Sequence, residues 1–395
     1  MSLGHFYLQA VCLSLTLLMT FTPAEGAPTT TSAQTTLAGD ALNEILTRGE
    51  PILGVNKGCT KGSKTCDWMA SIPDNTPIVH MNLPGTHDTS TWNYTAETQG
   101  ALERYTGPLP PSDVFRCQQD SIFDSLNDGI RVFDMRYSYN PGNDTIGFYH
   151  GSALLSPTTT LEDVLFGFYS WLIQHPTEAV FISLKYESGP GRSYDAALQT
   201  KLYHALFDGP AKRFWVQKEN QLGTLGQARG KITLLQRFDW DFLDPATFPN
   251  RMGLHLSPSV WTDNGPSIEL LYNNQTTPQG IAYIEDFYEP LTTGGPGPAV
   301  DAKFAAVSQH LQNATSNAHP DQLFITFSSA EVNTDGVFPR YMALGNDTTP
   351  GVNHRLLPFL KDLHAAAPHG KARVGMIMLD FYKNVPGLIE AVIGI

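Results

Sequence analysis

At 395 residues with 41% hydrophobic side chains, the chain can bury one large core or two modest ones, and its composition excludes a disordered or fibrous protein. Twenty-five Lys and Arg against 38 Asp and Glu leave a formal charge of −13, which disfavours nucleic acid as a partner and offers no general attraction to anionic membranes. An anionic substrate would have to be held by a few local cations.

In chain order, the first feature is the apolar run Leu8 to Phe21, followed by Ala24-Glu25-Gly26 with small residues at the two positions that signal peptidase reads. A signal peptide over 1–26 is expected. The rival, a membrane anchor, falls short of the roughly 20 residues that span a bilayer. Five Asn-X-Thr acceptor sequons, at Asn93, Asn143, Asn274, Asn313 and Asn346, support the secretory route by their number. Residues 27–55 read as a Thr-rich tail, the globular part starts near residue 50, and a single, monomeric domain is expected over 56–395. Cys59 and Cys66 can close a short loop in an oxidising compartment, leaving Cys117 as a buried thiol, although other pairings remain open. With Cys12 removed in the expected signal peptide, the three spread cysteines that remain argue against a zinc site.

From there one pattern repeats: a short apolar run rich in strand-forming residues, a polar residue at its end, then helical or irregular sequence. The runs are Ile78–Leu83, Ile130–Phe133, Ile146–Tyr149, Val180–Leu184, Ile232–Leu235, Ile281–Ile284, Leu323–Phe327 and Val374–Leu379. Eight such runs suggest an α/β fold, a closed barrel of parallel strands. Thr160 to Gln174 has helical apolar spacing with Thr160 as a cap, and Tyr194–Phe207 and Ala302–Leu311 read as further amphipathic helices. The connections Asp241–Gly280 and Pro290–Val300 are rich in Pro, Gly, Asn and Thr and are expected to form rim loops or a lid.

The run ending at Leu83-Pro84-Gly85 is followed by Thr86, His87 and Asp88, as expected where a barrel strand delivers catalytic groups to its mouth. The plainer reading is a turn in which Asp88 caps a helix and His87 lies on the surface. Strand ends elsewhere supply Asp134 and Arg136, His150, Lys185 and Glu187, Arg237, Asp286 and Tyr288, Ser328 and Ser329, and Asp380. Two imidazoles, carboxylates to orient them and cations for a phosphate are the parts of acid/base attack on a phosphodiester.

The segments LPGTHDTSTW (83–92), GIRVFDMR (129–136), FYHG (148–151), HPTEAVFISLKYE (175–187), LGQARGKITLLQR (225–237), EDFY (285–288) and ARVGMIMLDFY (372–382) resemble, in order, the X-type catalytic region of bacterial phosphatidylinositol-specific phospholipase C. The resemblance implies a distorted TIM-type (β/α)8 barrel. It makes His87 the general base on the inositol 2-hydroxyl with Asp380 as its orienting carboxylate, and His150 the general acid toward the glycerol oxygen with Asp88 coupled to it. Arg136, with Asp134 beside it, would hold the phosphate. Lys185, Arg237 and Asp286 would bind ring hydroxyls, and Tyr288 would stack on the ring. Calcium-dependent relatives carry a carboxylate at the position of Arg136, so the guanidinium here implies no metal and no cofactor.

The expected activity is cleavage of phosphatidylinositol, or of glycosyl-phosphatidylinositol, at a membrane surface by a secreted eukaryotic relative, fungi included. Exposed rim aromatics dock such enzymes on membranes, and Trp92, Trp240, Trp261 and Phe242 are the candidates, against the commoner fate of a lone aromatic in the core. The rivals are a non-catalytic inositol-lipid or glycan-binding protein on the same barrel and a calcium-dependent glycerophosphodiesterase. A serine hydrolase is excluded by the lack of a G-x-S-x-G elbow.

Overall fold

The computed structural model describes residues 30–191 and 193–395; the signal peptide expected over 1–26 lies outside the described residues. A helix spans Thr30–Leu53. The described residues through Asn43 belong to one unit and Glu44 onward to a second, which holds every strand described. The barrel unit therefore starts before residue 56, and part of the expected tail belongs to it. The reason is an apolar stripe hidden behind the Thr-rich stretch: Ile52 and Leu53 enter the main core with Leu46 packed beside them, and Arg48 pairs with the buried Asp163 at 2.7 Å.

The strands are β1 (Leu83–Thr86), β2 (Val132–Tyr139), β3 (Ile146–His150), β4 (Ala153–Leu154), β5 (Val180–Tyr186), β6 (Ile232–Arg237), β7 (Leu254–His255), β8 (Ile268–Asn273), β9 (Gly280–Glu285), β10 (Leu323–Phe327) and β11 (Met376–Leu379). Their order is β7-β6-β5-β2-β1-β11-β10-β9-β8. All pairs on this path are parallel except β8 with β9. The parallel strand first in sequence, β1, pairs with the last, β11. That pairing curls the sheet into a nearly closed barrel, whose remaining gap lies between β7 and β8.

Three expectations are corrected in detail. The run Ile78–Leu83 is not a strand; Pro77 leads into a short helical turn, Ile78–His80, and the barrel strand begins at Leu83 and carries Pro84 and Gly85 within it. Gly85 is required by packing, since a Cβ there would lie 2.6 Å from Met378 Sδ and 2.9 Å from Val132 Cβ. The run Ile146–Tyr149 is a strand, but β3 pairs antiparallel with the outer half of β2, Tyr137 opposite Phe148 and Tyr139 opposite Ile146. Six residues, 140–145, join the two, too few for a parallel crossover of a dozen or more. The eighth parallel position is filled by the two-residue β7, inside the stretch read as a rim loop.

The crossover helices follow the sequence signals more closely. Leu161–Gln174 starts from a reciprocal cap between Thr160 and Asp163 and stops at His175, and Ala196–Phe207 starts where Asp195 accepts from the Leu198 N–H. The helix expected over Ala302–Leu311 runs over Pro296–Thr315, taking in residues read as loop. Val180 to Leu184 is buried throughout, as a parallel strand covered on both faces should be. Cys59 and Cys66 form a disulfide and Cys117 is a buried free thiol. The five sequon asparagines are exposed, and no described helix is long and apolar enough to cross a membrane.

Candidate active site

The parallel registers set the site in tiers. Arg136 on β2 lies opposite Lys185 on β5, and Lys185 opposite Arg237 on β6, so three cations share one level at the barrel mouth. One tier below, Asp134 lies opposite Ser183. The β1–β11 ladder continues past the strand ends through the His87 N–H bonded to Leu379 O at 3.1 Å. Asp88 then turns the chain with a left-handed φ of 43°. Its side chain makes no cap bond and is 1% exposed. The plainer reading of this turn is thus ruled out, because Asp88 faces the other functional groups instead.

A cavity of about 350 Å³ opens there, lined by His87, Arg136, His150, Lys185, Arg237, Asp286, Tyr288 and Asp380. Of the ten residues expected in the site, only Asp88 and Asp134 stand behind this lining, and both are buried and bonded to it. Glu187, Trp261, Asp263 and Glu331 also line the cavity. Glu187 follows the expected Lys185 and was legible as a strand-end carboxylate. Trp261 belongs to a long irregular connection and had no signal beyond its type; it covers the Arg237 guanidinium at 3.7 Å and donates to Asp286 Oδ2 at 2.8 Å. Gln118 could not be read from sequence at all. Its amide donates to His87 O at 2.6 Å and to Leu379 O at 2.8 Å, fixing the two turns that carry His87 and Asp380.

The two histidines lie with ring centroids 6.3 Å apart and planes nearly perpendicular, and their hydrogen bonds distinguish them. His87 Nε2 is 2.8 Å from Arg136 Nη2, and a guanidinium only donates. Nε2 therefore carries the lone pair, and Nδ1–H points to Asp380 Oδ1 at 3.0 Å. Burial and the Arg136 charge lower the His87 pKa well below the ordinary imidazole value, while burial raises that of Asp380. His150 is arranged the other way. Its Nδ1–H donates to the Phe115 carbonyl at 2.7 Å, leaving Nε2 3.1 Å from Asp88 Oδ2. This is an ion-pair distance without hydrogen-bond alignment, and Asp88 Oδ2 is buried with no hydrogen-bond partner among the described residues. Burial also pushes the Asp88 carboxyl up.

Arg136 ties these groups together: it meets Asp88 at 3.0 Å, Glu187 at 3.3 Å and Asp134 at 3.4 Å. Burial alone would raise Asp134, but the guanidiniums of Arg136 and Arg237 outweigh it and hold the carboxyl well below its usual range. Asp134 also accepts from the Asp88 N–H and Ser183 Oγ, and so positions both guanidiniums from below. Glu187 is held down to about 2, against its burial, by Arg136 and by Lys185 at 2.8 Å.

The arrangement can accept one proton, deliver another and bind an anion between the two. Residues 113–238 match the family model for the X domain of phosphatidylinositol-specific phospholipase C. The 1-phosphatidylinositol phosphodiesterase of Listeria monocytogenes is 30% identical over 182 residues, 46% of this chain and 51% of that protein. PI-PLC X domain-containing protein 2 of Mus musculus is 27% identical over 172 residues, 38% and 48% of the two chains. The chain thus spans about half the length of the curated relatives it matches. Among solved structures, a point mutant of the phosphatidylinositol-specific phospholipase C from Staphylococcus aureus aligns with a TM-score of 0.62 at 20% identity, over 84% of this chain and 97% of that one. The enzyme from Listeria monocytogenes aligns with a TM-score of 0.58 at 21% identity, over 83% and 98%. At those identities the structures establish the shared barrel, and the similarity to the X domain of phosphatidylinositol-specific phospholipase C rests on residues 113–238.

Proposed function

We propose that the protein is a secreted phospholipase C that cleaves phosphatidylinositol, or its glycosylated form, to diacylglycerol and a 1,2-cyclic inositol phosphate without a metal. The observation that carries this reading is the opposite setting of the two histidines at one cavity: His87 turns Nε2 to the Arg136 guanidinium and Nδ1 to Asp380, whereas His150 turns Nδ1 to the Phe115 carbonyl and Nε2 toward Asp88 at 3.1 Å. On this reading the phosphate draws Arg136 Nη2 off His87, freeing Nε2 to take the proton of the inositol 2-hydroxyl. That oxygen attacks the phosphorus as a tethered nucleophile, and proximity supplies several kcal/mol of the barrier. Arg136 stabilises the charge on the phosphate oxygens, and His150 gives its proton to the glycerol oxygen as the bond to phosphorus breaks.

Lys185, Arg237 and Asp286 bind ring hydroxyls and Tyr288 packs on the ring. Asp134 acts through Arg136 and Arg237. Metal independence rests on Arg136, whose guanidinium sits among Asp88, Asp134 and Glu187 and supplies the positive charge for the phosphate. Docking on a membrane falls to rim residues. Trp92 donates to Ile52 O, Trp240 packs on Phe238, and Trp261 lines the cavity. Phe242, Val260 and Leu291, on the loops after β6, β7 and β9, are 51%, 50% and 66% exposed.

Phosphorus NMR of the products from phosphatidylinositol in the presence of EDTA tests the reading. A five-membered cyclic phosphodiester is expected as the first product. A linear inositol phosphate formed first, or activity that vanished with EDTA and returned with calcium, would overturn it.

A further inference from the structure

At the opposite end of the barrel, away from the cavity, Cys59, Cys66, Asp67 and His175 each offer one donor atom, and all four atoms lie within 4.8 Å of one another. We propose that reduction of the Cys59–Cys66 disulfide opens a four-coordinate site for a zinc-class divalent cation made by these four residues. The donor set suits that class: two thiolates, an imidazole and a carboxylate select zinc over hard cations such as magnesium or calcium.

The groups are already held in place. His175 follows the helix Leu161–Gln174 as its C-cap, and its ring stacks on Trp171 at 4.2 Å. Its Nδ1 lies 2.6 Å from Asp67 Oδ1. Cys66 is 2% exposed, and its carbonyl accepts from the buried Arg131, which also grips Glu178. Asp67 has a side chain 53% exposed, giving an ion a route in. Metal bonds of about 2.0–2.3 Å in a tetrahedron require donors roughly 3.3–3.8 Å apart. The cluster reaches that geometry when the sulfurs part and the 2.6 Å His175–Asp67 contact widens, the proton it holds giving way to the ion.

The chemistry balances. A trialkylphosphine in vitro, or a dithiol in a cell, supplies two electrons to the S–S bond, is itself oxidised, and leaves two thiols. Binding of the cation then displaces the two thiol protons to solvent, and the thiolates, imidazole and carboxylate bond the metal. Because the site clamps the 59–67 loop to the entry of β5, metal would replace the disulfide as its staple. Nothing in this inference depends on the proposed hydrolytic activity.

The test uses the full chain, reduced with phosphine without oxygen and titrated with cobalt(II) as a spectroscopic substitute for zinc. A thiolate-to-cobalt charge-transfer band is expected in the reduced chain only, saturating at one equivalent and bleached by zinc. His175→Ala, which keeps the disulfide and so can be checked for folding beforehand, should weaken cobalt binding at least about tenfold. Zinc should raise the Tm of the reduced chain and leave that of the oxidised chain unchanged. No saturable thiolate band in the reduced chain, or a band unaltered by Cys59→Ser or His175→Ala, would overturn the site.

Discussion

At the scale of single residues, the roles proposed for the histidines rest on what each ring nitrogen faces. His87→Ala and His150→Ala should each lower turnover of phosphatidylinositol by about two to four orders of magnitude, the usual contribution of a positioned base or acid. Near-normal turnover in either variant removes that histidine from the mechanism. Direction can also be read from pH. Burial and Arg136 hold the folded pKa of His87 well below 6.5, so the imidazole stays neutral as the pH falls through that value. The acid limb of kcat/KM should therefore lie below pH 6.5. A pH–rate profile with its acid limb at or above 6.5 would mean that another group is the base. The same shift acts on stability: the unfolded chain binds the His87 proton more readily than the folded one, so this contribution is complete above 6.5 and is lost as pH falls toward the folded pKa.

At the scale of elements, the strand ends are held by buried pairs behind them. Glu285, the last residue of β9, meets Lys303 of the helix Pro296–Thr315 at 2.7 Å and accepts from the Phe287 N–H. Burial raises its carboxyl to about 7 even with the ammonium opposing the shift. The pair sets the direction in which the chain leaves β9 toward Asp286 and Tyr288. Lys303→Met leaves the carboxyl buried without a partner and should cost about 3–5 kcal/mol; an unchanged urea midpoint would contradict this. On the other side of the barrel, Thr160→Ala removes the reciprocal cap of Leu161–Gln174. The expected loss is about 1 kcal/mol in chemical denaturation, and a loss near zero would show that packing alone fixes that helix.

For the whole molecule, the polar cavity and the exposed apolar residues share the loop-bearing end of the barrel. If this end meets lipid, Phe242→Ser with Leu291→Ser should weaken binding to phosphatidylinositol vesicles while leaving turnover of a short-chain, monomeric substrate near normal. Equal losses on both substrates would place the damage in folding or in the site. Head-group selectivity belongs to the same scale, because Lys185, Arg237 and Asp286 face the cavity together only when the barrel is assembled. Phosphatidylcholine leaves these groups unpaired and lacks the nucleophilic hydroxyl, so its rate should be negligible. Comparable rates on the two lipids would reject the assignment.

The sequence by itself determined the parallel strand type, through short, mostly apolar runs such as Val180–Leu184, and the position of polar groups at their ends. It also determined the cap at Thr160, a local signal that needs no distant partner, whereas the helix read from Tyr194 starts at Ala196 with Asp195 as its cap. The parting of β3 from the barrel was legible in principle, because residues 140–145 are too short for a crossover. Only the tertiary structure decided that β7 completes the parallel set: a two-residue strand has no period to detect, and its pairing with β6 comes from packing around the barrel. Only the fold, too, brings Gln118 beneath His87 and Asp380, Trp261 over Arg237, and Cys66 beside His175. These contacts join residues far apart in the chain, and chemistry at such a range is set by where the backbone closes rather than by any neighbouring residue.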